Sequence, residues 1–410
     1  MSRIGIPVTS SFYIVMLGLM SALPPLGIDV GLPAIPSLQA ELNVTVAKST
    51  QTLTLFLVGF ALGPVLFGPL SDHYGRKPIL MFGVALFSLA ALGCALAPNI
   101  EMLLLLRVVQ GVGAGAAAAL PAAIVRDVFR DNLALSRQSY VAMVNAVTPL
   151  IAPLIGAAIL SFGNWRSIYE VLTVVGAVLF TSVLFGYKET APLQRTEENV
   201  FRATLHAYRH ILSNRDYILA TGLFSATFGI MFAYISSSSS VFMNLLGATP
   251  TTYGFLFALT AIGEITGAAC NGRLSPRFGA ERLLSIAVIG SFVASAILLT
   301  ASLLGIQSIA VCAIFVVMSN FCAGIIMPNA THRALKDLGK VAGSAAALQR
   351  SLQMVAGAIA GAAVGLVGGN SIVAMASVMT AFAAIAIVLL RISMKKSLRT
   401  PLVTPKFTAK

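Results

Sequence analysis

The chain has 410 residues, of which 57% are hydrophobic and 10% are charged, and its mean hydropathy is +0.90. Soluble domains carry about 25% charged residues, so this chain lacks the charge that a fully water-exposed surface needs. The composition therefore argues against a soluble enzyme, a nucleic-acid-binding protein and a secreted disulfide scaffold. It predicts a protein that crosses a membrane many times.

Twelve segments have the roughly 20 mostly apolar residues that a bilayer-spanning helix needs. They are 12–34, 51–70, 78–97, 101–125, 139–161, 166–187, 216–236, 252–271, 283–304, 306–328, 341–367 and 371–392. The longest polar stretch separates six segments from six. We predict an all-α polytopic membrane protein with an N-terminal six-helix half (1–187), a cytoplasmic linker (188–215), a C-terminal six-helix half (216–392) and a basic cytoplasmic tail (393–410).

The orientation follows from the positions of lysine and arginine, which concentrate in cytoplasmic loops. A cytoplasmic N-terminus places 23 of the 27 lysines and arginines in cytoplasmic segments and only Lys48 and Arg166 in outer loops. Both termini are therefore expected in the cytoplasm. No small-residue cleavage site follows the first apolar segment, so that segment is expected to be a retained helix rather than a signal peptide.

Two opposite charges lie inside the first and fourth predicted helices. Asp29 is six residues past the midpoint of the first helix and Arg107 is six residues before the midpoint of the fourth. These helices run in opposite directions, so both charges are expected roughly 9 Å toward the outside of the membrane centre. An ion in this position suggests a functional site, and we predict an Asp29–Arg107 pair in which Asp29 carries a proton. The alternatives are an interfacial Asp29 and an Arg107 that only binds backbone carbonyls.

The loop after the second predicted helix reads GPLSDHYGRKPIL at 68–80. Gly68 is expected to allow close helix approach, and Gly75 to permit a turn with positive φ. Asp72 offers negative charge at a helix end, and Arg76 is available to pair with Asp127 at the end of the fourth helix. The alternative is a solvated hairpin whose basic residues only set the topology.

A related stretch, GRLSPRFGAERLL, recurs at 272–284 with an offset of 204 residues. This repeat predicts two related halves, as in parallel-repeat secondary transporters. The second copy has Pro276, Ala280 and Glu281 where the first has its charged residues. We expect it to keep the turn and to lack the charge pairing.

The fifth predicted helix carries Pro149, Pro153 and Gly156 in the stretch TPLIAPLIGA at 148–157. Proline bends a helix and frees backbone carbonyls, while glycine allows tight packing. This helix is therefore expected to be bent and closely packed.

The second half carries charges of its own inside predicted helices. Glu264 lies near the middle of the eighth segment, where it either faces a cavity, attracting cations or protons, or stays neutral and hydrogen-bonded between helices. Arg350 in the eleventh segment is expected to extend toward the membrane surface. Candidate cavity residues are polar or aromatic side chains within the predicted helices: Tyr13, Gln51, Tyr140, Asn145, Phe228, Phe232 and Asn320.

These motifs together resemble the major facilitator superfamily. The 68–77 loop resembles its motif A, the Arg107–Gly113 stretch its helix-4 motif, and 148–157 its antiporter motif. Asp29 in LGIDVGLPAIPSL and the Asn164-Trp165-Arg166 sequence are similar to the Bcr/CflA branch of twelve-helix drug:proton antiporters. Helix 5 departs from the family's Gly-Pro and Gly-Gly pairs, with Ala152-Pro153 and Gly156-Ala157.

The resemblance implies a bacterial inner-membrane protein whose motif A latches the two halves in the outward-open state, with Asp72 facing helix 11. The implied function is proton-driven export of small amphiphilic drugs or toxic compounds by alternating access. The alternative is proton-coupled transport of a specific metabolite by the same fold. A non-transporting membrane enzyme or scaffold has no catalytic constellation in its favour.

No cofactor is expected. The sequence has neither a Walker loop nor an HExxH motif, so the proton gradient is the expected energy source. Cys94, Cys270, Cys312 and Cys322 lie in or at the ends of apolar stretches and are expected to pack rather than bind metal. The expected partners are a small-molecule substrate, protons and lipid, without nucleic acid, and the expected state is a monomer.

Overall fold

The computed structural model describes residues 10–191, 200–368 and 371–397, and this part of the chain is almost entirely helical. The N-terminal half contains α1 (Ser11–Asp29), a 3₁₀ turn (Leu32–Ala34), α2 (Ile35–Glu41), α3 (Val46–Tyr74), α4 (Arg76–Leu96), α5 (Ile100–Ala118), α6 (Pro121–Val128), α7 (Asp131–Phe162) and α8 (Trp165–Gly186). The remaining helices are α9 (Val200–Ser213), α10 (Arg215–Ser239), a π-helical segment (Ser240–Leu245), α11 (Pro250–Phe278), α12 (Ala280–Leu303), α13 (Ile309–Leu335), a 3₁₀ turn (Gly339–Val341), α14 (Ala342–Gly368) and α15 (Ile372–Ser397).

The described residues form twelve helical spans long and apolar enough to cross a membrane. Many side chains on their outer faces are both exposed and apolar, including Leu89 and Phe185. Helices suit such an environment because they satisfy their backbone hydrogen bonds internally. The all-α, twelve-helix prediction is therefore confirmed.

Two predicted segments are interrupted by proline. The fourth segment is divided between α5 and α6 at Pro121, which is the first residue of α6. In the first segment, a 3₁₀ turn that contains Pro33 connects α1 to α2. Proline lacks the amide N–H that would donate to the preceding turn, so each break lies where a backbone hydrogen bond of the helix is missing.

Turns and helix caps define the two ends of the bundle. Gly75 and Gly279 have φ of 97° and 81° and connect α3 to α4 and α11 to α12. We call their end of the bundle the turn side and the opposite end the Trp165 side. On the Trp165 side, Asn99 and Asn164 accept hydrogen bonds from the first backbone amides of α5 and α8. These caps satisfy donors that a helix start leaves without an intrahelical partner.

The two halves contact each other through small residues toward the Trp165 side. A Cβ atom at Gly361 of α14 would lie 2.6 Å from the Thr54 hydroxyl of α3, and one at Gly357 would lie 2.8 Å from Leu57 Cδ1 of α3. A Cβ at Gly254 of α11 would likewise lie 2.8 Å from Leu154 of α7. Glycine at these positions lets the helices approach closely, and the interface is therefore closed on this side.

Candidate functional site: a central cavity open on the turn side

A cavity of about 620 Å³ lies between the two halves. Asp29 and Glu264 contribute to its wall, and Asp72, Arg126 and Val341 line it near the turn side. None of its lining residues comes from the ends of the twelve described spans on the Trp165 side. The cavity therefore opens on the turn side and ends within the bundle.

Its wall combines apolar and aromatic surface with a few polar groups. Phe60, Phe257 and Met354 are among the apolar residues, while Thr260 and Gln353 add hydroxyl and amide groups. Small-molecule sites usually combine mostly apolar walls with few polar groups that orient the ligand.

Four of the seven predicted cavity residues line it: Asn145, Phe228, Phe232 and Asn320. Tyr13, Gln51 and Tyr140 do not. The Tyr13 ring is 1% exposed and stacks on Tyr187 at 6.2 Å, while Gln51 and Tyr140 are exposed on other faces of their helices. Tyr140 precedes Asn145 by five positions, which turns it about 140° around α7. These three expectations were wrong because the type of a residue does not show towards which side of its helix the side chain projects.

Asp29 and Glu264 are the acidic groups of the cavity interior. Asp29 ends α1 and is 4% exposed, whereas Glu264 lies halfway along α11. Both residues line the same cavity. Neither has a hydrogen bond or ion pair to another described residue. Of the two alternatives for Glu264, the structure supports the one that faces the cavity.

Arg107 does not pair with Asp29, and this expectation was wrong. Its Nε donates to the Thr52 carbonyl at 3.0 Å and its Nη1 to Gln110 Oε1 at 2.6 Å. Its guanidinium also lies 4.5 Å from the centre of the Phe56 ring. That ring packs against Gly27 of α1 and so occupies space between Arg107 and the helix that carries Asp29. The predicted equal depth of Asp29 and Arg107 suggested a pair, but depth along a helix does not determine which way a side chain points.

Arg350 lines the cavity, contrary to the expectation that it extends toward the membrane surface. It lies eight residues into α14 and its side chain is exposed to the cavity. Gln353 and Met354, which follow it at helical spacings of three and four, line the same cavity. One face of α14 therefore forms this part of the wall.

The predicted contact between Arg76 and Asp127 is present on the turn side. Arg76 Nε donates to Asp127 Oδ2 at 2.9 Å, and Nη1 donates to Asp72 Oδ1 at 2.5 Å and to Ser71 Oγ at 2.6 Å. Arg76 is 7% exposed. Within the described chain, Asp72 bonds to Arg76 and not to α14, so this conformation lacks the contact with helix 11 that the resemblance implies for the outward-open state.

Gly68 has a different role from the one expected. It lines the cavity, and a Cβ atom built there would have no neighbour within 4 Å. Gly68 is therefore not a close-packing position in this conformation. The space beside Gly68 belongs to the open cavity.

Glu189, a residue that no sequence motif singled out, joins the turn to the end of α8. Its two carboxylate oxygens accept the backbone N–H groups of Arg76 and Lys77, each at 2.9 Å, at the start of α4. Partial burial raises the pKa of Glu189, but backbone donors from Ala191, Lys77, Arg76 and Thr190 outweigh this and hold that pKa below its usual value. More than 100 residues separate Glu189 from these partners, and the only sequence signal is an acid just after an apolar segment.

The second copy of the loop also keeps a charge pair, which corrects the expectation that it had lost one. Glu281 at the start of α12 accepts a hydrogen bond from Arg333 near the end of α13 at 3.1 Å. Arg76 and Asp127 occupy similar places in the first half. The charges are exchanged between the helices: the cation begins α4 in the first half, and the anion begins α12 in the second.

In α7, Pro149 lines the cavity, Pro153 lies one turn further, and Gly156 packs against the backbone carbonyl of Val30. The predicted close packing of this helix is therefore present at Gly156.

Among the described residues, no group of three or more His, Cys, Asp or Glu side chains is arranged to hold a metal ion.

Twelve helical spans in two halves around a one-sided cavity define a membrane transporter of small molecules. Residues 16–361 match the sequence profile of the Major Facilitator Superfamily, and the chain belongs to this superfamily. Its members are transporters and not enzymes, as the sequence predicted.

Relatives with assigned names include drug-resistance proteins. The chain is 33% identical to an uncharacterized MFS-type transporter of Bacillus subtilis, over 86% of this chain and 88% of that protein. It is 32% identical to a bicyclomycin resistance protein homolog of Haemophilus influenzae, with the same coverage. It is 27% identical to multidrug resistance protein D of Escherichia coli, over 83% of this chain and 85% of that protein.

Solved structures share the fold. A bacterial homolog of the human lysosomal transporter Spinster, in an inward-facing and occupied conformation, matches with a TM-score of 0.72 and 14% identity over 97% of this chain and 98% of that one. A D-xylose–proton symporter matches with a TM-score of 0.69 and 16% identity over 94% and 98%.

Proposed function

We propose that this protein is a proton-driven antiporter that exports small amphiphilic compounds from the bacterial cytoplasm by alternating access. The observation that carries the proposal is the placement of two carboxyl groups, Asp29 and Glu264, on the wall of a largely apolar cavity, neither of them in an ion pair with a described residue. The names of the relatives from Haemophilus influenzae and Escherichia coli support drug compounds as the substrate class.

The turn side is the cytoplasmic side in this proposal. The lysines and arginines concentrate at this end, in the loops that hold Arg76, Arg126 and Arg333, and cytoplasmic loops of membrane proteins are rich in these residues. The open cavity is then inward-facing. Both termini face the cytoplasm, and the chain works as a monomer in the inner membrane.

The coupling follows from electrostatics in a cavity of low polarity. Two carboxylates that share such a cavity repel each other, so the binding of a proton or a cationic group between them is favourable. A proton and a cationic substrate therefore compete for one site. Each occupant stabilises the conformations that bind it best, and the opposed movement of proton and substrate results. No cofactor is needed, because the proton gradient supplies the free energy.

Transport in proteoliposomes with an imposed pH gradient tests the proposal, with the lipophilic cation rhodamine B ethyl ester as the probe. The parental protein should concentrate the dye against its gradient, and an uncoupler should abolish this. Asp29→Asn preserves size but cannot titrate, so it should abolish the gradient-driven component.

Glu170→Gln is the matched control, because Glu170 is an exposed carboxylate of α8 outside the cavity. It should transport like the parent. The proposed coupling would be contradicted if dye transport by the parent were independent of the pH gradient. It would also be contradicted if Asp29→Asn kept the full gradient-driven transport.

A further inference from the structure

Three arginines line the described part of the cavity: Arg76, Arg126 and Arg350. Arg76 is held by the carboxylates of Asp72 and Asp127. Arg126 belongs to the last turn of α6, at the turn-side mouth. Arg350 lies deeper, two helical turns into α14, and forms no ion pair or hydrogen bond with any described residue. Its charge is therefore available to a ligand.

A guanidinium in this position is costly without an anion. Intramembrane arginines are rare and usually face a water-filled cavity or an acidic partner, and Arg350 faces the cavity. A guanidinium presents several N–H donors in a fixed plane that matches the two oxygens of a carboxylate or related acid. The group that best satisfies Arg350 is thus an anion that enters with the substrate.

Glu264 lies further from the mouth of the cavity than Arg350. Arg350 is eight residues from the turn-side end of α14, whereas Glu264 is fourteen residues from the turn-side end of α11. With a rise of 1.5 Å per residue, Arg350 is about 9 Å nearer the turn side than Glu264. A small molecule of ordinary size spans this distance.

We propose that the cavity binds zwitterionic amphiphiles, with the cationic group of the substrate at Asp29 and Glu264 and its anionic group at Arg350. Gln353, one turn further along the same face of α14 and 6% exposed, provides an additional amide for the anionic group. The proposal rests on the proposed function, since it names the substrate class of the same cavity. Arg350 thereby distinguishes zwitterions from simple lipophilic cations.

The test compares the binding of two dyes that differ only in one anionic group. Rhodamine B carries a free carboxylate and a delocalised cation, and its ethyl ester carries the cation alone. Fluorescence anisotropy with the purified full-length protein in detergent at neutral pH gives a dissociation constant for each. Arg350→Gln should weaken rhodamine B binding by about tenfold, the effect of one charge-assisted hydrogen bond, and should leave the ester within about twofold.

Two further variants identify the cause. Arg350→Lys retains the charge and should keep most of the rhodamine B affinity. Arg391→Gln removes an exposed cation of α15 outside the cavity and should change neither dissociation constant. An equal loss for both dyes in Arg350→Gln would assign Arg350 to the shape or conformation of the cavity and overturn the proposal.

An unchanged affinity for rhodamine B in Arg350→Gln would also overturn the proposal, as would a parental protein that binds the ester but not rhodamine B. Binding in detergent needs no proton gradient. A zwitterion-binding transporter without proton coupling would therefore fail the liposome test but still show a loss of rhodamine B affinity in Arg350→Gln. A proton-driven exporter of simple cations would pass the liposome test and fail only the dye-binding test.

Discussion

Arg107 illustrates how a buried cation is accommodated without an acid beside it. It is 1% exposed, and the Thr52 carbonyl, the Gln110 amide and the faces of Phe56 and Tyr169 surround its guanidinium. Carbonyl oxygens and aromatic faces both offer negative charge density to a cation. The alternative in which Arg107 serves as a structural hydrogen bonder therefore describes this conformation, and Asp29 remains available to the cavity.

Glu189 acts as a remote cap for the start of α4. The first backbone N–H groups of a helix have no intrahelical acceptor, and a carboxylate there is favoured by the helix dipole. Glu189 supplies two oxygens to Arg76 and Lys77 at this point. Lys77 in turn donates to the carbonyls of Leu184 and Tyr187 at the end of α8, so the two helix ends hold each other.

Glu189→Gln should lower the free energy of unfolding by about 1 kcal/mol, the usual cost of a lost helix cap. The glutamate has a lowered pKa in the folded protein. Its contribution is therefore present above its unfolded pKa of 4.5 and is lost as the pH falls through the folded value. Thermal unfolding in detergent at neutral and acid pH would measure this, with a smaller difference between the two proteins in acid.

The control for this experiment is Glu101→Gln, which removes an exposed partner of Lys48 at 3.6 Å. Exposed pairs of this kind contribute little. Equal stability of Glu189→Gln and the parent at neutral pH would show that the carboxylate does not cap α4.

At the level of helices, α9 docks onto a carbonyl that a proline has left free. Pro69 in α3 has no N–H, so the Val65 carbonyl four residues earlier loses its intrahelical donor. The Tyr208 hydroxyl of α9 donates to that carbonyl at 3.1 Å. One turn further, Ile211 packs with Tyr217 and Ala345 of the second half. The linker helix therefore contacts both halves at the mouth of the cavity.

Tyr208→Phe keeps the ring and removes the donor to Val65. A buried carbonyl without a donor costs about 1–3 kcal/mol, so undocking of α9 should become more frequent. Trypsin cleavage at the exposed Arg209 should then be about fivefold faster than in the parent. Tyr140→Phe alters an exposed tyrosine and should be cleaved at the parental rate. Cleavage of Tyr208→Phe at the parental rate would contradict the role of Tyr208 in docking α9.

Each half has an ion pair between the start of one helix and the end of another, and the positions of the cation and the anion are exchanged between the halves. Arg76 at the start of α4 pairs with Asp127 beyond α5, and Glu281 at the start of α12 pairs with Arg333 at the end of α13. An anion at a helix start also matches the helix dipole, which Glu281 provides directly and Glu189 provides for α4. The repeat thus preserves a connection between two helix ends rather than particular residues.

For the whole molecule, apolar segment lengths were sufficient to predict the helices. All twelve predicted segments correspond to spans, because the bilayer imposes one length and one secondary structure on every apolar crossing. The glycine turns at Gly75 and Gly279 were also predictable, since a positive φ favours glycine.

The cavity was only partly predictable because its lining depends on side-chain direction and on the contacts between halves. Asn145 and Phe232 line it and Tyr140 does not, although all are plausible by residue type. Arg350 was assigned to the membrane surface and Arg107 to a pair with Asp29, and both were wrong. Helix depth can be counted along a sequence, whereas rotation about the helix axis and long-range partners such as Glu189 depend on tertiary packing.

The central claim is that substrate and proton compete at Asp29 and Glu264. Proton release from the purified protein in weakly buffered detergent, on addition of rhodamine B ethyl ester, tests it most directly. The parent and Glu170→Gln should release protons as the dye binds. Asp29→Asn should release few, and Asp29→Asn combined with Glu264→Gln should release none; undiminished release from the double variant would contradict the account.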